Sequence, residues 1–121
     1  MSMSIYTSGD IAHKCHVSTR TIQYYDKQEI LSPNYTSETN RRFYTDKEVE
    51  KLELILFLKE IGCTIKEIKV LLQEDSSMKT LYTLLQIKKH EIQQSITVKE
   101  NKVRKIEQIQ RYVHQNSISP I

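Results

Sequence analysis

The sequence of 121 residues has no apolar run as long as the 18 to 20 residues, roughly, that a membrane-spanning helix needs. Its N-terminal stretch, MSMSIYTSGD, has neither the basic start nor the apolar segment of a signal peptide. Only two cysteines are present, and Cys15 and Cys63 lie far apart and outside any CxxC pair. Neither a disulfide framework nor a zinc ribbon is therefore indicated. We expect one small cytoplasmic module with buried free thiols.

The sequence also has little that could carry catalysis. There is no glycine-rich phosphate loop, no pair of carboxylates in an obvious cleft and no nucleophile beside a plausible base. His13, Cys15 and His16 crowd four positions and raise a metal hypothesis, but Cys15 faces inward and His13 outward on a helix. Neither thiol has a nearby basic cluster in the sequence to favour the thiolate. We expect no enzyme, no metal site, no cofactor and no redox switch.

The formal net charge of +3 is unevenly distributed. Residues 1–75 hold seven Lys and three Arg against four Asp and eight Glu, a net charge of −2. Residues 76–121 hold six Lys and two Arg against three Glu, a net charge of +5. A solvated helix face explains that excess without a ligand. A case for nucleic acid must therefore rest on where individual cationic side chains lie.

Four helix starts are marked in the first 75 residues. Capping boxes begin at Thr7, Thr45 and Thr64, each with an acid three residues later. Ser18 can cap a further helix that runs from Thr19 toward Lys27. The pattern predicts four short helices.

Between the second and third of these helices, the stretch SPNYTSETNRRFY interrupts helical periodicity with proline and small polar residues. A short β-hairpin fits residues 32–44 best, with its apex at Ser37 to Asn40. The apex has no glycine, so Asn40 is the residue most able to adopt a left-handed conformation there.

From about Met78 the sequence predicts one long amphipathic helix that no proline or glycine interrupts. If it reaches His114 it is roughly 55 Å long at about 1.5 Å per residue, more than a 75-residue domain can cover. A second copy of the chain is the simplest partner. A flanking row of Ile87, Val98 and Ile109 repeats every eleven residues. The dimerisation stripe comprises Leu81, Leu85, Ile92, Ile96, Val103, Ile106 and Val113.

The first two helices have helix-turn-helix spacing. Ile11, Ala12 and Cys15 form the inner side of the first helix, and Ile22 with Tyr25 forms that of the second. On the second helix the outward side chains stand at i, i+3 and i+4, so they share one face near the end that enters the major groove in such motifs. These side chains are Arg20, Gln23 and Tyr24.

Five segments, SGDIA, VSTRTIQYYD, EILSP, NRRFYTDKEVEKLELI and LKEIGCTIKEIKVLL, occur in an order that resembles the MerR family of bacterial transcription regulators. The resemblance covers residues 5–72. It implies a mainly α fold: a winged helix-turn-helix with a small β-hairpin wing, a second wing near Lys59 to Lys69, and a long dimerisation helix. Family members pair through antiparallel long helices. In members that activate, the dimer bends and untwists an over-long promoter spacer for RNA polymerase.

Carried over residue by residue, the resemblance assigns double-stranded DNA contacts to recognition-helix positions, to the first wing and to the second wing. Two departures bear on them. Gln23 stands where the family usually has arginine, which suggests another base preference or weaker phosphate binding. His16, Asn40 and Arg41 replace residues that are often glycine, glycine and aromatic. The assigned positions are Thr19, Arg20, Gln23 and Tyr24 on the helix, Arg41 and Arg42 on the first wing, and Lys59 on the second.

The expected organisation is a DNA-binding domain at 1–75, a dimerisation helix at 76–115 and a short tail at 116–121. That tail is too short for an effector pocket, so we expect a short family member without a separate sensor domain, and the sequence identifies no effector. The expected function is a nucleoid-associated, homodimeric, sequence-specific regulator. Two alternatives stay open: a DNA-anchoring or architectural protein, and a coiled-coil adaptor without promoter control.

Overall fold

The computed structural model describes residues 4–73 and 77–117 and has the mainly α architecture that the sequence predicts. By their internal contacts, residues Met1–Leu81 form one unit and Tyr82–Ile121 another. The elements are β1 (Ile5–Thr7), α1 (Ser8–Lys14), α2 (Thr19–Lys27), β2 (Tyr35–Thr36), β3 (Arg42–Thr45), α3 (Asp46–Glu60), α4 (Ile65–Leu71) and α5 (Met78–Ser117). None of the helices in these ranges is long and apolar enough to cross a membrane.

The four helices before residue 74 begin at the predicted caps. At α1 the Asp10 N–H donates to the Thr7 hydroxyl at 3.2 Å, and the Thr7 N–H donates to the Asp10 carboxylate at 3.0 Å. Thr64 and Glu67 repeat this reciprocal arrangement at α4. The start of α3 differs in detail, because both the N–H and the hydroxyl of Thr45 donate to Glu48 Oε1, at 2.7 and 2.8 Å. Each cap satisfies backbone groups that the first helical turn leaves unpaired.

Three helices end in the same way, with one left-handed residue followed by a backbone hydrogen bond that closes the last turn. The left-handed residue is His16 (φ 57°) after α1, Glu29 (φ 64°) after α2 and Gly62 (φ 97°) after α3. The closing bonds run from Val17 N to Ala12 O at 2.9 Å, from Ile30 N to Tyr25 O at 3.0 Å and from Cys63 N to Leu58 O at 2.9 Å. Only one of the three positions is therefore the glycine that this motif favours.

The predicted hairpin belongs to a three-stranded antiparallel sheet with strand order β1-β3-β2. Tyr35 of β2 pairs with Phe43 of β3, and on the other side Tyr6 of β1 pairs with Tyr44. The sequence interpretation missed β1, because three residues directly before a capping box are too few to show alternation. As a result, the wing strand β3 is also anchored to the strand that precedes α1.

The core of the first unit is formed by side chains from α1 to α4, from β3 and from the connections that follow α2 and α3. Tyr25 and Cys63 are buried, as the sequence predicts.

Cys15 is only half-buried, which corrects the expectation of two buried thiols. It is the C-cap residue of α1 and does not lie within the inner face of that helix. Burial raises the pKa of the Cys15 thiol, and the Glu53 carboxylate raises it further. Both effects disfavour the reactive thiolate at neutral pH.

The second unit is essentially the long helix α5. It extends to Ser117, two residues beyond the expected boundary at residue 115, and residues 118–121 of the expected tail lie outside the described part. Leu81 and Leu85 are half-buried, and from residue 91 to 117 every residue is exposed. The predicted stripe is thus largely uncovered in one chain, with exposed fractions of 47% at Ile92 and 53% at Val103.

Candidate nucleic-acid interface

The connection between α1 and α2 fixes the orientation of the second helix. The left-handed His16 closes α1, and Ser18 begins α2 by accepting the Thr21 N–H at 3.1 Å. The Ser18 and Thr21 hydroxyls are themselves 3.0 Å apart. Ile22 and Tyr25 then anchor α2 in the core. Because both ends of the turn are hydrogen-bonded, the outward face of α2 is presented by a rigid support.

That outward face carries the predicted recognition residues. Thr19, Arg20 and Gln23 are exposed, and Tyr24 is 48% exposed. The Tyr24 ring lies 5.7 Å from the buried Tyr25 ring, tilted by 52°, so its apolar part is held while its outer part stays accessible. Arginine and glutamine can each make bidentate contacts to base edges, which is the chemistry that reads sequence in the major groove.

The hairpin that follows is ordered by its own contacts. Tyr35 and Phe43 stack with ring centroids 4.8 Å apart, and the Arg41 guanidinium lies 5.8 Å from the Phe43 centroid. At the apex Ser37 N donates to Arg41 O at 2.8 Å, and Arg41 N donates to the Ser37 hydroxyl at 3.1 Å. Asn40 has φ 63°, which confirms the predicted left-handed position. These contacts hold the wing arginines in place without a glycine in the turn.

Arg42 is joined to the recognition helix by an ion pair. Its Nη1 lies 2.9 Å from Asp26 Oδ2, and the side chains of Arg42 and Asp26 are 44% and 22% exposed. The sequence interpretation assigned Arg42 only a contact with DNA. In the structure its charge is partly compensated by an acid on α2, sixteen residues earlier in the chain.

Between α2, the wing and the start of α1 lies an open groove of about 840 Å³. It brings together three of the predicted residues, Gln23, Arg41 and Arg42. It also includes Asp26 and Lys27, which the sequence interpretation did not select. Their signal was present, because positions three and four after Gln23 share its side of a helix.

The other predicted residues are placed separately. Lys59 is exposed in the last turn of α3 and is not among the residues that line the groove. Thr19, Arg20 and Tyr24 lie on α2 outside the groove lining. Across residues 4–73 and 77–117, no three His, Cys, Asp or Glu side chains gather as a metal-binding group. His13, Cys15 and His16 therefore form no such cluster.

Comparison with known proteins gives one family match that covers more than half of the chain. Residues 6–75 match the MerR HTH family regulatory protein. The multidrug-efflux transporter 1 regulator of Bacillus subtilis is 31% identical over 97 residues, which cover 79% of this chain and 34% of that protein. The chain thus spans about a third of the length of this curated relative.

Two solved structures give the same result for the fold. The N-terminal part of MtaN, a multidrug transporter activator of Bacillus subtilis, superposes with a TM-score of 0.74 at 30% identity, covering 86% of this chain and 96% of that one. EcmrR in the EcmrR–DNA complex of EcmrR-RPo gives a TM-score of 0.74 at 27% identity, covering 93% of this chain and 41% of that one.

Proposed function

Because the chain belongs to the MerR family of helix-turn-helix regulatory proteins, we propose that it is a transcriptional regulator that binds a two-fold operator in double-stranded DNA as a homodimer. The observation that carries this proposal is the exposed face of α2, where Arg20, Gln23 and Tyr24 stand together beside an ordered wing. Such a face has side chains that distinguish base pairs, and the wing places cations near the flanking backbone.

The proposed division of labour follows the chemistry of each side chain. Arg20 and Gln23 read base edges, while Thr19 and Tyr24 contact phosphate, sugar or a thymine methyl group. Arg41 and Lys59 supply charge to phosphates on either side of the recognition helix. These contacts would offset the cost of distorting promoter DNA, on the order of 1 to 10 kcal/mol, which the family resemblance implies.

The exposed stripe on α5 supports the homodimer. Its apolar side chains repeat along a helix of 40 residues, or about 60 Å, and a single copy leaves those beyond residue 91 exposed. A second α5 offers a matching stripe of equal length. The proposed protein works in the cytoplasm on the nucleoid, has no enzymatic activity and meets RNA polymerase at the promoter.

Selection of duplexes from a random DNA pool, at near-physiological salt and with sequencing of the bound fraction, tests this function. We expect an enriched inverted repeat with a fixed centre, because two identical recognition helices in a two-fold dimer require two related half-sites. DNA binding without an enriched motif would replace the regulator by an anchoring or architectural protein. A folded dimer that binds no DNA would indicate an adaptor.

Removing a wing cation should change the salt dependence of operator binding. For Arg41→Ala and for Lys59→Ala, the slope of log K against log salt concentration should become shallower by about 0.9 per lost phosphate contact, counted in each subunit. Fluorescence anisotropy titrations of operator DNA at a series of salt concentrations measure this slope. Lys89→Ala is the matched control, since it removes one exposed charge from α5. Wing variants with the slope of the Lys89→Ala control would contradict the phosphate assignment.

A further inference from the structure

We propose that Asp26 is a specificity-determining positioning residue that restrains Arg42, lowering the affinity for random DNA more than the affinity for the operator. This inference rests on the proposed function. Its origin is the ion pair between Arg42 Nη1 and Asp26 Oδ2, 2.9 Å apart, which links the recognition helix to the wing.

A carboxylate in this groove requires an explanation. Asp26 shares the groove with Lys27, Arg41 and Arg42, on the side of the unit proposed to face DNA. An acid near the phosphate backbone weakens DNA binding, because it repels phosphate and cancels a cation that would otherwise release counterions. If affinity alone mattered, an uncharged residue would serve better at this position.

Contribution to folding stability explains the acid poorly. The Arg42 side chain is 44% exposed, and pairs with such access to water typically contribute under about 1 kcal/mol. Arg42 is also held by its backbone, since it lies in β3 and pairs with Thr36 of β2. The wing therefore has other contacts that fix its strand. The ion pair adds a restraint on the position of the Arg42 guanidinium.

Restraint of the guanidinium affects two kinds of binding differently. An arginine has five N–H donors in a planar fork, and the ion pair engages one terminal nitrogen, so donors remain for a phosphate oxygen. In the operator complex, the restrained group meets a phosphate at a fixed position with little further loss of side-chain entropy. On random DNA, where the register varies, a restrained and half-compensated cation contributes less than a mobile, uncompensated one.

The isosteric change Asp26→Asn tests this inference, because it should change the affinity for random DNA and the affinity for the operator differently. Affinity for random-sequence duplex should rise roughly tenfold per subunit at about 0.1 M salt, because the magnitude of its salt slope grows by about 0.9 per subunit. Affinity for the selected operator should not rise, so the ratio of operator to random affinity falls by the same factor. Simple loss of an acid would raise both affinities equally, and damage to the fold would lower both. Either result would overturn the inference.

Glu38→Gln is the matched control, because Glu38 is an exposed acid in the turn of the same wing. It should raise both affinities equally and leave their ratio unchanged. The Arg42→Gln background supplies the second test: if Asp26 acts through Arg42, adding Asp26→Asn there no longer changes the ratio. An undiminished effect in that background would overturn the inference.

The result also separates the inference from the proposed function. If the unmodified protein prefers no sequence over random duplex, both are wrong. If it discriminates and Asp26→Asn discriminates equally well, only the role of Asp26 is wrong. Thermal unfolding of each variant, monitored by circular dichroism, shows whether a change in the operator-to-random ratio is accompanied by a loss of folded protein.

Discussion

Replacing Arg20 with alanine is expected to abolish the preference for operator over random DNA. A bidentate arginine contact with guanine discriminates by about 1 to 3 kcal/mol, and a two-fold dimer makes the contact twice. The operator-to-random ratio should therefore fall by roughly 30-fold to 20,000-fold, at about 1.4 kcal/mol per factor of ten. Anisotropy titrations against the selected operator and against a scrambled duplex measure the ratio.

The matched control for this change is Arg111→Ala, which removes the same charge from an exposed position of α5. It should leave the ratio as it is in the unmodified protein. Arg20 is exposed, so its truncation creates no cavity and should leave the thermal midpoint within a few degrees. Operator preference that survives in Arg20→Ala would refute the assignment of α2 as the recognition helix.

The double change Ile92→Asp with Val103→Asp is expected to give monomers. Both side chains are about half exposed in a single chain and lie on the proposed dimer stripe. Pairing would bury four carboxylates per dimer without partners, and each unpaired buried charge costs several kcal/mol. Light scattering at micromolar concentration should give the mass of one chain, 14.3 kDa, whereas the unmodified protein should give twice that mass.

A control with the same charge change distinguishes loss of pairing from general repulsion. Gln94 and Gln108 are exposed and, at about 100° per residue, lie on the side of α5 opposite Ile92. Gln94→Asp with Gln108→Asp should therefore remain dimeric. A dimeric mass for Ile92→Asp with Val103→Asp would refute the stripe as the dimer interface, and a monomeric mass for the glutamine variant would make the effect one of charge alone.

Local interactions are the part of this fold that the sequence predicts best. The caps at Thr7, Ser18, Thr45 and Thr64 depend on residues at most three positions apart, and the left-handed Asn40 depends on its own backbone preference. All were confirmed. The three-residue strand β1 was missed because only its pairing with β3, about forty residues away, makes it a strand.

In the candidate site, too, the sequence predicts the features that are local to one helix and misses a contact between two elements. Periodicity on α2 predicts which side chains face outward, and the structure places Arg20, Gln23 and Tyr24 there. The ion pair of Arg42 with Asp26 joins two elements, so no pattern within either segment reveals it. Cys15 shows the same limit, since helical spacing placed it on the inner face while α1 ends just before it.

The left-handed residues that close α1 and α2 have a consequence for how such a chain can evolve. A non-glycine residue in this conformation costs roughly 1 to 2 kcal/mol. Glycine removes that cost but gives the unfolded chain more conformational entropy, which offsets part of the gain. Replacing His16 or Glu29 with glycine should therefore add up to about 1 kcal/mol of net stability. Most substitutions that create a new binding preference also destabilise a protein. Glycine at either position is thus a change outside the α2 helix that can offset the stability lost in a variant with a new operator preference.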